Sequence, residues 1–262
     1  MQDVYFQHNV LTTAEVRSSQ RHRLHRVKLF SAALCHITQG SKVILQEDNR
    51  LVAKPGELII IPANTSLDII NQPGQGGFRS DLLLLSPDMI SAFKKTYVKD
   101  FPPATLTSLC TPMNPSLAFM WTNLLSAVRQ GLPVELQAHQ AMGLLLALLH
   151  EGAIGPLLIE RGYTLTEQVR QLIMLAPAKL WRAQDIAHRL AMGTSTLRRR
   201  LQQESQSYRQ IVEEVRMSYA LSQLQSTTLP IGEIALRSGY LSGSRFTARF
   251  SQYYGCLPKQ VR

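Results

Sequence analysis

Cysteine is scarce in this 262-residue chain: Cys35, Cys110 and Cys256 are odd in number, far apart and without a CxxC pair. That excludes a disulfide framework and a cysteine-built zinc site, and it fits a reducing compartment. Charge is sparse as well, at 18% of residues against 45% apolar, which excludes a disordered chain. The longest apolar run, Met142 to Leu149, falls far short of the roughly 20 residues of a membrane span. The first ten residues, MQDVYFQHNV, have no basic start followed by an apolar stretch, so no signal peptide is read there. A cytoplasmic protein with no membrane partner is the expectation.

Patterns that carry catalysis are missing too. His8, His22, His25, His36, His139 and His150 form neither HxH nor HExxH, and no carboxylate sits at ligand spacing from a pair of them. There is no GxSxG, no phosphate-binding loop and no dinucleotide fingerprint. His36 lies in an apolar run and reads as a hydrogen-bonded core histidine. The run Arg21-His22-Arg23-Leu24-His25-Arg26 reads as an exposed basic segment. No catalytic residue, metal ligand or cofactor is expected, and the chain is read as a non-enzyme.

What the chain does have is basic charge in one place. The net charge is +10, yet residues 1–160 hold 13 Lys and Arg against 12 Asp and Glu. Residues 161–262 hold 15 against 6, the footprint of a nucleic-acid-binding domain. Two domains are therefore expected, 1–160 and 161–262, with different partners.

In the first, short apolar runs from Leu29 to Ile70 alternate with Gly, Pro, Asn and Asp turns, the pattern of a small β-barrel or sandwich. Another run, Ser80 to Leu85, follows a glycine-rich loop. Ser86-Pro87 and Asn114-Pro115 each read as a helix N-cap followed by proline at the first helical position. A helix over Val134 to Glu151 is apolar nearly all round, so several of its sides must be covered. Ala138, Met142, Leu145 and Leu149 form a heptad-like seam beside Leu144 and Leu148, and pairing of two subunits along that seam is expected.

The second domain repeats one device. Thr164-Leu165-Thr166-Glu167 reads as a capping box before a helix that stops by Pro177. Ile186, Ala187 and Leu190 line one short helix, Ala191-Met192-Gly193 makes a tight turn, and TSTLRRRLQQ follows with Leu197 and Leu201 inward. Two short helices joined by such a turn, the second basic, are a helix-turn-helix at about 183–203. Helical residues rotate by about 100° each, so the three consecutive arginines cannot share a face. Arg198 points away from the core with Ser195 and Gln202, Arg199 lies on the flank near Thr196, and Arg200 sits nearer the buried boundary. Guanidinium donates bidentately to guanine, so Arg198 and Arg199 are the expected base readers.

Ile186-Ala187 recurs as Ile234-Ala235, Ala191-Met192 as Gly239-Tyr240, and Leu197 and Leu201 as Phe246 and Phe250. The offset is 48 residues, then 49, so the second turn (within 230–254) is one residue longer. Ser242 caps the second reading helix, which carries Ser244, Arg245 and Arg249 on its outer faces. Between the copies Tyr208 to Gln225 reads as one helix about 27 Å long, somewhat less than a DNA turn of about 34 Å. One chain can then offer two helices to successive major grooves.

The stretch IALRSGYLSGSRFTARFSQYYGCLPKQVR resembles the second helix-turn-helix of the AraC/XylS transcription regulators, and MGTSTLRRRLQQESQSYRQIVEEVRM resembles the first motif and linker helix. The resemblance covers about residues 164–262. It implies an α+β chain with an N-terminal cupin-like barrel for effector binding or dimerisation and a C-terminal all-α DNA-binding domain. It also implies base contacts from Ser195, Arg198 and Arg199, backbone contacts from Thr194 and Thr196, and a second helix contacting through Gly243, Ser244 and Ala248. Ala248 stands where many members have arginine and Gly243 has no side chain, so phosphate contact through Arg245 and Arg249 is expected there instead. Ser205-Gln206 falls where a glycine is usual. The function implied is a DNA-binding regulator, more an activator than a repressor, with double-stranded promoter DNA and RNA polymerase as partners, a homodimer, and a small-molecule effector that is fatty-acid-like or unknown. Its rivals are a nucleoid-type protein binding DNA without preference and a metal-dependent cupin enzyme.

Overall fold

The computed structural model describes residues 11–46, 49–98, 108–159 and 164–261. His8, the first ten residues and the expected boundary at 160/161 lie outside them. The chain divides into two units, Met1–Arg161 and Gly162–Arg262, taken separately below.

In the first unit, β-branched and leucine-rich runs between turn residues become strands. These are β1 (Thr12–Ser18), β2 (His22–Leu29), β3 (Ala32–Gln39), β4 (Ser41–Gln46), β5 (Asn49–Ala53), β6 (Glu57–Ile61), β7 (Thr65–Gln72), β8 (Phe78–Leu85) and β9 (Cys110–Pro112). They form two antiparallel sheets, ordered β1-β8-β3-β6-β9 and β2-β7-β4-β5, rather than one closed barrel. Helices α1 (Pro87–Tyr97), α2 (Pro115–Arg129), α3 (Val134–His150) and α4 (Gly155–Leu158) follow. Ser86 Oγ and Asn114 Oδ1 accept from the N–H groups of Met89 and Leu117, so both proline-flanked caps form.

The central strands β3 and β6 are buried on both faces. On one face Leu34, Leu58 and Ile60 join Phe93, Trp121, Leu144, Leu145 and Leu148 of the helices in a single core. On the other, Ala33, Cys35, Ile37, Ile59 and Ile61 are equally covered. Such continuous apolar runs mark strands without a solvent side. Cys35 and Cys110 both pair with Ile59, one from each side, which sets them about 9–10 Å apart, beyond disulfide reach.

Two expectations are met only in part in this unit. Leu145 is fully buried in the core and so is not available for pairing, while Ala138, Met142 and Leu149 are half-buried against it. The reason is that α3 packs on α2 and on α1, leaving its first turn the most exposed part, at Val134 and Leu136. The basic run at 21–26 lies mostly in β2, with Arg21, Arg23 and Arg26 exposed as expected but His22 and Leu24 buried. Alternation turns His22 and Leu24 inward, and a bulge before Val27, with Arg26 at φ 53°, resets the register. Asp68 binds that bulge, accepting from the Arg26 N–H and from Arg23 Nη2, each at 2.9 Å, with His25 Nδ1 also at 2.9 Å. Burial opposes its ionisation, yet these bonds hold the Asp68 carboxyl below its ordinary range.

His22 is buried, with Asn71 Nδ2 at 3.2 Å from Nε2 and the Gln20 carbonyl at 3.2 Å from Nδ1. With Asn71 Nδ2 donating to Nε2, the proton sits on Nδ1 and is shared between Ser18 Oγ at 3.0 Å, whose hydroxyl donates to the Gln20 carbonyl, and that carbonyl. Burial, with Lys42 adding to it, lowers the His22 pKa against the pull of the Gln20 carbonyl. The unfolded chain therefore binds the extra proton first, and stability is lost as pH falls below the ordinary histidine value of about 6.5. His36, packed edge-on to Trp121 at 5.9 Å, is shifted down by burial too. A thermal scan from pH 7 to pH 5 should show a falling transition for this unit, and His22→Gln should flatten part of the fall. An unchanged slope in the variant would refute it.

The second unit is helical: α5 (Leu165–Met174), α6 (Ala183–Arg189), α7 (Thr194–Gln203), α8 (Tyr208–Ser226), α9 (Ile231–Arg237) and α10 (Gly243–Tyr254), then a short 3₁₀ turn at Pro258–Gln260. Helix α8 packs on α5 towards one end and on α9 towards the other. Thr164 caps α5, but the reciprocal half of the expected capping box is absent. Glu167 turns instead to Arg170, and Glu204 from the end of α7 accepts from the N–H groups of Leu165 and Thr166. Burial works against the Glu204 charge, but these bonds and nearby Arg200 keep its carboxyl below the usual range.

Candidate nucleic-acid interface

Each helix pair is closed by the same backbone device. After α6, the N–H groups of Ala191 and Met192 donate to the carbonyls of His188 and Ala187. After α9, Gly239 and Tyr240 donate to Leu236 and Ala235 in the same way. This is a Schellman cap, which places one residue in the left-handed region, normally glycine. Gly239 fits that need at φ 82°, whereas the first copy holds Ala191 at φ 50°. A third such cap ends α7, with Ser205 at φ 57° where a glycine was expected. Ala191→Gly and Ser205→Gly should each raise the unit's stability by about 0.5–1 kcal/mol, read from denaturant midpoints, because a Cβ is strained there. A loss of stability would count against this.

From these turns emerge α7 and α10. Leu197 and Leu201 anchor α7, and Phe246, Phe250 and Tyr254 anchor α10 in a ring ladder with centroids 5.6 and 4.7 Å apart. The second turn spans 238–242 and the first 190–193, so the extra residue lies between α9 and α10.

Turning to the outer faces, Ser195, Arg198, Arg199 and Gln202 are exposed on α7, with Thr194 and Thr196 half-buried at its start. Gly193 occupies the cap position and Thr194 is the first helical residue. Arg198 and Arg199 make no hydrogen bond or ion pair among the described residues, so their guanidinium donors are open to solvent. On α10 the Ser242 hydroxyl accepts from the Arg245 N–H at 3.2 Å and lies 3.3 Å from the Ser244 hydroxyl. Ser244 and Arg245 are exposed and Gly243 half-buried. Arg249 differs. Its guanidinium is held by Glu213 of α8 through both carboxylate oxygens, one contact at 2.6 Å, and by Gln252 at 2.6 Å. The Glu213 bond raises its pKa further, so it is a committed cation rather than a free one.

Leu241, 92% exposed directly before the Ser242 cap, was not anticipated. No periodicity flags it, because it lies in a turn and outside both apolar faces. Nor does any spacing rule signal Arg216 or Glu204, whose partners lie about 40 residues away.

A helix-turn-helix domain family matches residues 186–262. The virulence regulon transcriptional activator VirF of Shigella flexneri is 30% identical over 102 residues, 39% of either chain. The urease operon transcriptional activator of Escherichia coli is 35% identical over 96 residues, 37% of this chain and 32% of its own. The chain thus spans well under half the length of these curated relatives. Among solved structures, ToxT from Vibrio cholerae with unsaturated fatty acid bound covers 95% of this chain and 92% of its own, with a TM-score of 0.66 and 13% identity. Apo ToxT carrying a substitution reaches a TM-score of 0.70 over 97% of both chains at 14% identity. Residues 186–262 belong to a helix-turn-helix domain family, and the α+β fold of the chain is similar to that of ToxT.

Proposed function

We propose that this chain is a sequence-specific DNA-binding transcriptional regulator that acts as an activator. The observation that carries the reading is the duplicated motif on one linker helix, with Arg198 and Arg199 exposed and unengaged at the first reading face. Arginine at that place matches the guanine O6 and N7 acceptors of a major groove. Ser195 and Gln202 flank it, with Thr194 and Thr196 near the phosphates. In the second motif Ser242, Gly243 and Ser244 leave a shallow surface, Arg245 faces phosphate, and Leu241 suits a thymine methyl. Arg249, bound to Glu213, holds its helix in place rather than reaching DNA.

The names of VirF and the urease operon activator support activation, with RNA polymerase as a further partner. The fatty acid bound in ToxT supports a small-molecule effector in the first unit. There an open cleft of about 640 Å³, lined by Arg23, Arg26, Lys28, Ser66 and Asp68 among others, offers cationic groups to a carboxylate. Pairing of two chains is kept as part of the proposal, through the exposed Phe119, Val134 and Leu136 rather than the buried seam.

The test is selection of bound duplexes from random DNA with the full chain, followed by competition against random DNA at moderate salt. A recovered motif preferred by a factor of about 10³ or more supports the reading. Equal competition by random DNA would show a non-specific nucleoid-type binder instead.

A further inference from the structure

Arg216 lies in the middle of α8, and its guanidinium touches both motifs. On one side Nε and Nη2 donate to the carbonyls of Pro177 and Lys179, each at 3.1 Å. Those carbonyls belong to the segment leading into α6, the first helix of the first motif. The same segment is fixed again where Tyr208 Oη donates to the Trp181 carbonyl at 2.9 Å, and where Lys179 Nζ lies 4.2 Å over the Trp181 ring. On the other side the guanidinium lies flat against Gly239, the turn residue of the second motif. A Cβ built there would fall 2.7 Å from Arg216 Cζ.

Neighbouring residues of α8 repeat the division. Glu213 holds Arg249 of α10, and Glu214 holds Arg170 of α5 at 2.7 Å. Three charged residues within little more than one turn of this helix therefore reach to both halves of the unit, Glu214 to the first, Glu213 to the second and Arg216 to both. We infer that Arg216, with Glu213 and Glu214, is a clamp that fixes the angle and spacing between the two reading helices. Arg216 is thereby a positioning residue that sets which half-site spacing the protein accepts. Neither reading face contains it.

The physical argument is one of geometry. Two linked readers bind as one only where both can engage at once, and the gain is lost when geometry forbids it. One inserted base pair rotates the second half-site by about 34° around the duplex. A rigid pair of helices cannot follow that rotation, whereas a loosened pair can. Arginine is suited to the task because its planar fork satisfies two carbonyls while its face packs on a glycine.

This inference rests on the regulator reading, and the experiment separates the two. The full chain is measured on the duplex recovered by selection, on the same duplex with one or two base pairs inserted between half-sites, and on each half-site alone. Wild type should lose about tenfold or more in affinity on insertion, and Arg216→Gln less than about threefold, with half-site affinities within about twofold of each other's. Arg216→Lys, which keeps the charge but reaches only one carbonyl, should fall between them, and it carries the test alone if Arg216→Gln does not fold. A wild-type spacing profile in the variants overturns the clamp, as does an equal loss on single half-sites. A wild type that recovers no preferred site overturns the regulator reading instead.

Discussion

Leu145→Lys should unfold the N-terminal unit or drive it to aggregate, with a loss of more than about 4 kcal/mol. Leu145 is fully buried on α3, which packs on α2 and α1, within the core that holds Trp121 and Phe93. An ammonium placed there meets only apolar side chains among the described core residues and must be desolvated or expose the whole cluster. That loss approaches the 5–15 kcal/mol total stability of an ordinary domain. Met142→Lys, at a member of the same seam that is only half-buried, is the control and should cost far less. Circular dichroism and sedimentation of both variants decide the matter. A folded monomeric Leu145→Lys would restore the pairing seam.

The other large effect is expected at DNA. Arg198→Ala should weaken binding to the preferred site by about 1–3 kcal/mol and relax base choice at one position. The residue is exposed, near mid-helix on α7, and bound to nothing else among the described residues. Its loss therefore costs the fold nothing and should appear in affinity alone. Binding of both proteins should fall steeply with salt as counterions are released, with little change in slope for the variant. An equal loss on preferred and random duplexes would make Arg198 a phosphate contact.

Much of the second unit was legible because its signals are local. Leu197 and Leu201, or Phe246 and Phe250, mark one helix face by spacing alone, and a duplicated spacing is hard to misread. Thr164, Ser86 and Asn114 cap helices through bonds three residues long, so their chemistry is visible in a short window. Charge concentrated after residue 160 pointed to the partner without any fold. The strand at His22–Leu29 was not legible in this way. Its basic residues looked solvated because Asp68, which organises three of them, lies more than 40 positions away.

The sequence by itself determined the two helix pairs, the faces they bury, and the arginines they leave outward. Those follow from the 3.6-residue period and from the cost of burying charge, which need only neighbours in the chain. Tertiary structure alone decided which of the apolar sides of α3 meets the core, which arginine is free and which is tied, and what holds one motif against the other. Arg198 and Arg249 have the same side chain on equivalent basic helices, yet Glu213 of α8 engages only the second. Partner choice of that kind depends on groups brought together by packing across 36 residues, and no periodicity within a helix records it.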